Sequence, residues 1–210
     1  MEIKGILFDM DGTLINTYEN FDYKQAFRDM STIQKELVKQ ILQANVHSFA
    51  VMEEIIQNEL PDKEANDLIQ KIHDFLVNHY KKSSLKKDAL RFLKYVKEKG
   101  YKLCLCTNNA TDIIHQILED KQVTSFFDFV VTSQQVQKSK PDPQMYQVAM
   151  EKVGLKPSDC IIFEDSESGV LAVEHASVPV VLVSNNDALI KDHVNMMIKD
   201  YADERLYKEF

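Results

Sequence analysis

The chain lacks any apolar run of about 18 residues, the length a helix needs to cross a bilayer, and its N-terminus enters a short strand-like segment without a basic leader or cleavage site. A membrane-spanning helix is excluded, and export is not expected. Cysteine is scarce. Cys104, Cys106 and Cys160 lie in apolar surroundings, too few for a disulfide framework and without a zinc-type histidine spacing. The expected location is a reducing cytoplasm. Five glycines and five prolines, with no low-complexity tract or repeat, leave no flexible linker between independent domains. Positive charge is in deficit: 25 Lys and Arg face 33 Asp and Glu, for a net charge of −8. A general affinity for nucleic acid or an anionic membrane surface is therefore not expected, and any anionic ligand must be met locally.

What is present is a core. With 210 residues and 44% hydrophobic content, the chain can form one domain, or one domain carrying a sizeable insertion. Short apolar segments at Ile3–Phe8, Lys102–Cys106, Phe129–Val131, Cys160–Phe163 and Val180–Val183 read as strands, each running into polar residues. Between them Ala89, Leu90, Leu93 and Val96 share a helical face that ends at Gly100, as Met145, Ala149 and Val153 do before Gly154. Alternating strands and helices predict an α/β fold, a parallel sheet covered on both faces. In such sheets ligands bind beyond the carboxyl ends of the strands.

The stretch 16–84 is different. It has helical spacing (Ile33, Leu37, Ile41; Leu68, Ile72, Phe75) and no strand of the same kind, and it is too long for a simple crossover. The expected organisation is a core built from 1–15 and 85–210, with 16–84 inserted as an all-helical cap over the end of the first strand.

Asp9 and Asp11 follow that strand. Two carboxylates held close together repel unless a cation or a shared proton relieves them, and a hard divalent cation, Mg2+ above all, accepts such oxygen ligands with room for water and a phosphate. Glu164 and Asp165 end another strand and can complete the set, while Lys140, in Lys138-Ser139-Lys140-Pro141, offers a positive charge to an anion.

These residues resemble the four motifs of the haloacid dehalogenase superfamily of aspartate-dependent phosphotransferases. Asp9-Met10-Asp11-Gly12-Thr13-Leu14 looks like the first, Thr107 the second, Lys140 the third and Glu164-Asp165 the fourth, in family order and across the whole chain. The inserted helices look like the cap of the branch that includes β-phosphoglucomutase and phosphoglycolate phosphatase. The resemblance implies a Rossmann-like core and a phosphatase acting on a small phosphorylated metabolite. In that reading Asp9 is the nucleophile that forms an aspartyl-phosphate, and Asp11 is the general acid and base. Mg2+ is held by Asp9, the backbone carbonyl of Asp11, Asp165 and Glu164, the last directly or through water. Thr107, Asn108 and Lys140 hold the phosphoryl oxygens, and Lys140 also screens Asp9 from the incoming charge. A monomer or weak homodimer is expected.

Taken singly, each feature has a plainer reading: Asp-Gly-Thr as a turn, Thr107-Asn108 as a helix cap, Lys140 as a loop lysine, Glu164-Asp165 as an acidic turn. The joint pattern outweighs these. The cysteines read as small core residues, and Met196, Met197, Tyr201 and Tyr207 as packing or surface residues. Three other functions compete with hydrolysis. A β-phosphoglucomutase needs a cap arginine at about 46–50, where this chain has Val-His-Ser-Phe-Ala. A phosphonate-cleaving enzyme needs a Schiff-base lysine, for which Lys24, Lys35 and Lys39 are the choices. A non-catalytic binding module would tolerate damage to Asp9, Asp11, Lys140 or Asp165, and all four are intact.

Overall fold

The computed structural model describes residues 3–19, 22–44, 46, 48–189 and 194–210. Its centre is a six-stranded sheet in the order β3-β2-β1-β4-β5-β6, parallel throughout. The strands are β1 (Gly5–Phe8), β2 (Lys102–Cys106), β3 (Phe129–Val131), β4 (Cys160–Glu164), β5 (Val180–Val183) and β6 (Val194–Ile198). The helices are α1 (Tyr23–Ala26), α2 (Thr32–Gln43), α3 (Phe49–Glu59), α4 (Asp62–Lys82), α5 (Ala89–Glu98), α6 (Thr111–Asp120), α7 (Gln144–Val153), α8 (Glu167–Ala176) and α9 (Leu206–Glu209). The strands are buried on both faces, as near-continuous Val, Ile, Leu and Phe runs require: β1, β4 and β5 have no exposed position. Among the described residues no helix is long and apolar enough to cross a membrane.

β1 lies between β2 and β4, with Phe8 in register with Leu105 on one side and Phe163 on the other. The chain winds outward from β1 through β2 to β3, then returns to β4 and winds the other way. β1 and β4 therefore flank the point where strand order reverses, which is where such sheets open a crevice. The residues that follow these strands, Asp9, Thr107 and Asp165, emerge at one edge.

Three expectations need correction. The sheet has a sixth strand, β6, and the first strand begins at Gly5, not Ile3. β6 is an edge strand, Val-Asn-Met-Met-Ile, only partly covered, so it shows no apolar run. In α2 the inward face is Gln34, Leu37, Val38 and Ile41, whereas Ile33 is 64% exposed. The helix is started by Ser31, whose hydroxyl accepts from Gln34 N while Gln34 Oε1 accepts from Ser31 N, a capping box that turns Gln34 inward. The long α4 carries Asp62 and Glu64 in its first turn and His79, Lys81 and Lys82 in its last, matching its dipole at both ends.

The segments that lead into and out of α1–α4 run side by side. Ile15 pairs antiparallel with Leu85, and Asn16 N donates to Ser84 O at 2.9 Å. α4 packs on α6, and Phe49 N at the start of α3 donates to Asn108 O at 2.9 Å, so the inserted helices sit over the loop after β2. At the other end of the chain Tyr201 is fully buried, its ring stacked on Phe92 and Phe163 at 5.4 and 5.8 Å.

Candidate active site

Lys140 is the hub of the strand-end crevice. Its ammonium is buried and donates to Asp9 Oδ1 at 2.6 Å, Glu164 Oε1 at 2.7 Å and Cys106 O at 3.0 Å, matching its three donors with three acceptors. Burial by itself would push this ammonium down; the Asp9 and Glu164 carboxylates overcome it and move it up, so it stays charged. Glu164, at the last position of β4, has no exposed surface. Its Oε1 also accepts from the Tyr146 hydroxyl at 2.6 Å, and its Oε2 from Asp165 N, Ser166 N and Ser166 Oγ at 3.0, 3.3 and 3.2 Å. Burial raises Glu164, but Lys140, Tyr146 and Ser166 outweigh it and hold this carboxyl below its ordinary range. Glu164 is thus an ionised anchor that fixes Lys140 on one side and the start of α8 on the other.

Asp9 and Asp165 are less well compensated. Burial pushes Asp9 up against the pull of Lys140, and Glu164, Asp165 and Asp11 push the same way. Asp165 is pushed up to about 7, first by burial and then by Glu164 and Asp11, although Thr13 Oγ1 donates to its Oδ1 at 3.2 Å. Asp9, Glu164 and Asp165 each present an oxygen, all within 4.8 Å of one another. Three hard oxygen donors fit a hard divalent cation such as Mg2+, and the repulsion that raises Asp9 and Asp165 is what a cation between them relieves.

Two glycines make this packing possible. Gly12 has φ +74°, and a Cβ there would fall on the Asp165 carboxylate and the Tyr18 ring. Gly169, in the first turn of α8, lies so close to the Glu164 carboxylate that a Cβ would overlap it.

The Asp11 side chain belongs to a different group. Its Oδ1 accepts from the Tyr80 hydroxyl and its Oδ2 from Asn109 Nδ2, both at 2.7 Å, and Asn109 Nδ2 is also 2.7 Å from the Tyr80 oxygen. Burial raises Asp11, against hydrogen bonds from Tyr80, Thr17 and Asn109. Thr107 is fully buried, and its Oγ1 accepts from Asn109 N at 3.3 Å. Asn108 Oδ1 is buried with no partner among the described residues.

The structure therefore brings Asp9, Lys140, Glu164 and Asp165 into one contact network and sets the Asp11 carboxyl beside it, facing α4. Thr107 and Asn108 stand at the neighbouring strand end. Sequence reasoning missed Asn109, Tyr80 and Tyr146. Asn109 adjoins residues already singled out, whereas Tyr80 and Tyr146 sit in helices with no local signal. The three cysteines are buried and free, with Cys104 and Cys160 each pushed up to about 12 by burial first, which fits core packing and not nucleophilic chemistry. Lys39 lies at the surface 3.8 Å from Glu36, and is not a buried Schiff-base lysine. His47 and the side chain of Lys24 fall outside the described residues.

The profile of the haloacid dehalogenase-like hydrolase family matches residues 6–183. Among curated proteins, a pyrophosphatase, PpaX of Bacillus pumilus, is 28% identical over 96% of this chain and 94% of its own length. A phosphorylated carbohydrates phosphatase of Thermotoga maritima is 27% identical over 84% of this chain and 82% of its own. Among solved structures, a predicted phosphoglycolate phosphatase from Haemophilus somnus superposes with a TM-score of 0.77 at 20% identity, covering 100% of this chain and 99% of that one, a likeness of fold.

Proposed function

Because the chain belongs to the haloacid dehalogenase-like hydrolase family, we propose that it is a Mg2+-dependent phosphatase that hydrolyses a small phosphorylated metabolite through an aspartyl-phosphate on Asp9. The observation that carries this reading is the Lys140 ammonium held between Asp9 and Glu164, with Asp165 alongside. In this reading 1–15 and 85–210 form the catalytic core and 16–84 the cap, consistent with the Ile15–Leu85 pairing where the two meet. The free, buried thiols fit a reducing, cytoplasmic setting.

Asp9 attacks phosphorus with a carboxylate oxygen. The Asp9–phosphorus bond forms as the bond to the leaving oxygen breaks, and Asp11 gives its proton to that oxygen. Asp11, now ionised, then takes a proton from water as the water oxygen attacks phosphorus, and cleavage of the acyl phosphate restores Asp9 and releases inorganic phosphate. Lys140 offsets the charge that gathers at Asp9 and the phosphoryl oxygens, a stabilisation strengthened by its burial. Thr107 and Asn108 stand to receive the phosphoryl group. Asp9, Asp165 and the backbone carbonyl of Asp11 would hold Mg2+, with Glu164 contributing directly or through water; when bound, the ion supplies positive charge against the carboxylates and the substrate phosphate.

The names of the relatives support phosphoryl hydrolysis and differ in substrate, pyrophosphate in one and a phosphorylated carbohydrate in the other. Hydrolysis is favoured over sugar-phosphate isomerisation, since the stretch 46–50 contains no arginine. The test is phosphate release from a panel of phosphomonoesters with and without Mg2+, alongside an assay for glucose-phosphate isomerisation. Mg2+-dependent release that Asp9→Asn abolishes in a folded protein is expected. No release from any substrate, or release that survives Asp9→Asn, overturns the assignment.

A further inference from the structure

Asp11, Tyr80 and Asn109 form a closed triangle of 2.7 Å contacts that joins three distant parts of the chain: the loop after β1, the C-terminal end of α4 and the loop after β2. Tyr80 is only 3% exposed, and its neighbour His79 bonds Thr17 O at 2.6 Å, so this end of α4 is pinned to the first loop at two successive residues. Burial, then Asp11, push the Tyr80 hydroxyl well up, and it remains a neutral donor. Both oxygens of Asp11 are thereby held by uncharged groups, one from the inserted helices and one from the core. A side chain with two torsions and both ends held has a defined direction, which proton transfer to a leaving group requires.

We propose that Tyr80 is a positioning residue for Asp11: together with Asn109 it fixes that carboxyl, so that protonation of the leaving group depends on α4 being seated on the core. The inference rests on the reading of Asp11 as general acid. It gives the inserted helices a part in the chemical step in addition to covering the crevice.

A positioning role differs from a structural one in its dependence on the leaving group. p-Nitrophenoxide departs with little help from an acid, while phenoxide is more basic and needs it. The experiment compares kcat/KM for p-nitrophenyl phosphate and phenyl phosphate, because this parameter reports steps up to transfer onto Asp9 and not the later hydrolysis. Each ratio is taken within one preparation, so the fraction of folded enzyme cancels. Tyr80→Phe is expected to lower the phenyl phosphate value at least about tenfold more than the p-nitrophenyl value, within the range that general acids supply. Asp11→Asn should show the same bias more strongly, and Tyr80→Phe added to Asp11→Asn should leave the ratio at the value set by Asp11→Asn alone. Asn109→Ala, on the core side of the triangle, should act in the same direction as Tyr80→Phe. Equal losses on both substrates in Tyr80→Phe, or a further change of ratio in the double variant, overturn the role of Tyr80. If Asp11→Asn itself shows no bias, the general-acid reading of Asp11 fails first.

Discussion

The Lys140 ammonium lies 2.7 Å from Glu164 Oε1, with the two side chains only 3% and 0% exposed. A buried pair of this kind is a poor source of net stability but is costly to break, because removing one partner strands the other charge away from water. Lys140→Met leaves both Asp9 and Glu164 without their cation. A loss of about 3–5 kcal/mol in urea unfolding is expected, with a fall in kcat of at least about 100-fold in whatever remains folded. A loss below about 1 kcal/mol, the range of surface pairs, would contradict the buried-hub description.

The two strand-end glycines are separable from the ordinary helix-capping ones. At Gly169 an added Cβ would coincide with the Glu164 carboxylate, whereas at Gly154, φ +70°, nothing lies within 4 Å. Gly154→Ala therefore carries only left-handed backbone strain, about 1–2 kcal/mol. Gly169→Ala must displace the anchor of Lys140, so activity should fall far more than melting temperature does. Assays of kcat and thermal melting on both variants decide this: equal activity in the two would show that Glu164 moves aside freely.

Much of this arrangement was legible in the sequence for a local reason. Asp9, Glu164 and Asp165 each terminate a buried strand, so the abrupt change from apolar to charged residues marks both the element and the site. Lys140 stands between Ser139 and Pro141 in a pattern that has meaning only beside the others. Tyr80 gave no such signal, because its contact with Asp11 spans 69 positions and a buried tyrosine in an amphipathic helix looks like core. Gln34 illustrates a one-residue ambiguity: 33/37/41 and 34/37/38/41 are both helical faces, and the choice was made by the capping bond to Ser31 and the 3.0 Å bond to Asp67. β6 was hidden because an edge strand has less to bury.

Tyr201 shows where packing and hydrogen bonding disagree. Its ring belongs to the aromatic cluster with Phe8, Phe92 and Phe163, yet its hydroxyl is buried without a partner among the described residues. An unsatisfied buried hydroxyl costs about 1–3 kcal/mol. Tyr201→Phe keeps the ring contacts and removes that cost, so it should be neutral or stabilising by about 1 kcal/mol in urea unfolding, with kcat unchanged. A clear destabilisation would mean that the hydroxyl is satisfied by bound water.

The carboxylates also set a pH dependence whose sign can be worked out. Asp9 and Asp165 have folded values above their ordinary ones, Asp165 at about 7. A group raised in this way holds its proton more tightly when folded, so its contribution to stability is largest at low pH and is lost as pH rises toward the folded value. Glu164 is shifted down, so what it contributes is present above the ordinary glutamate range and lost only below it. Between about pH 4 and pH 7, therefore, the metal-free protein should lose stability as pH rises. Binding of Mg2+ must displace protons from Asp9 and Asp165, and its affinity should climb over the same window. The increase in melting temperature produced by saturating Mg2+ over EDTA should accordingly be small at about pH 5, grow to about pH 7 and then level off. Replacing Asp165 with Asn removes one of the titrating ligands and should flatten both the metal-free slope and the Mg2+ increment. A Mg2+ increment that is the same at every pH, or one that survives Asp165→Asn unchanged, would place the ion elsewhere.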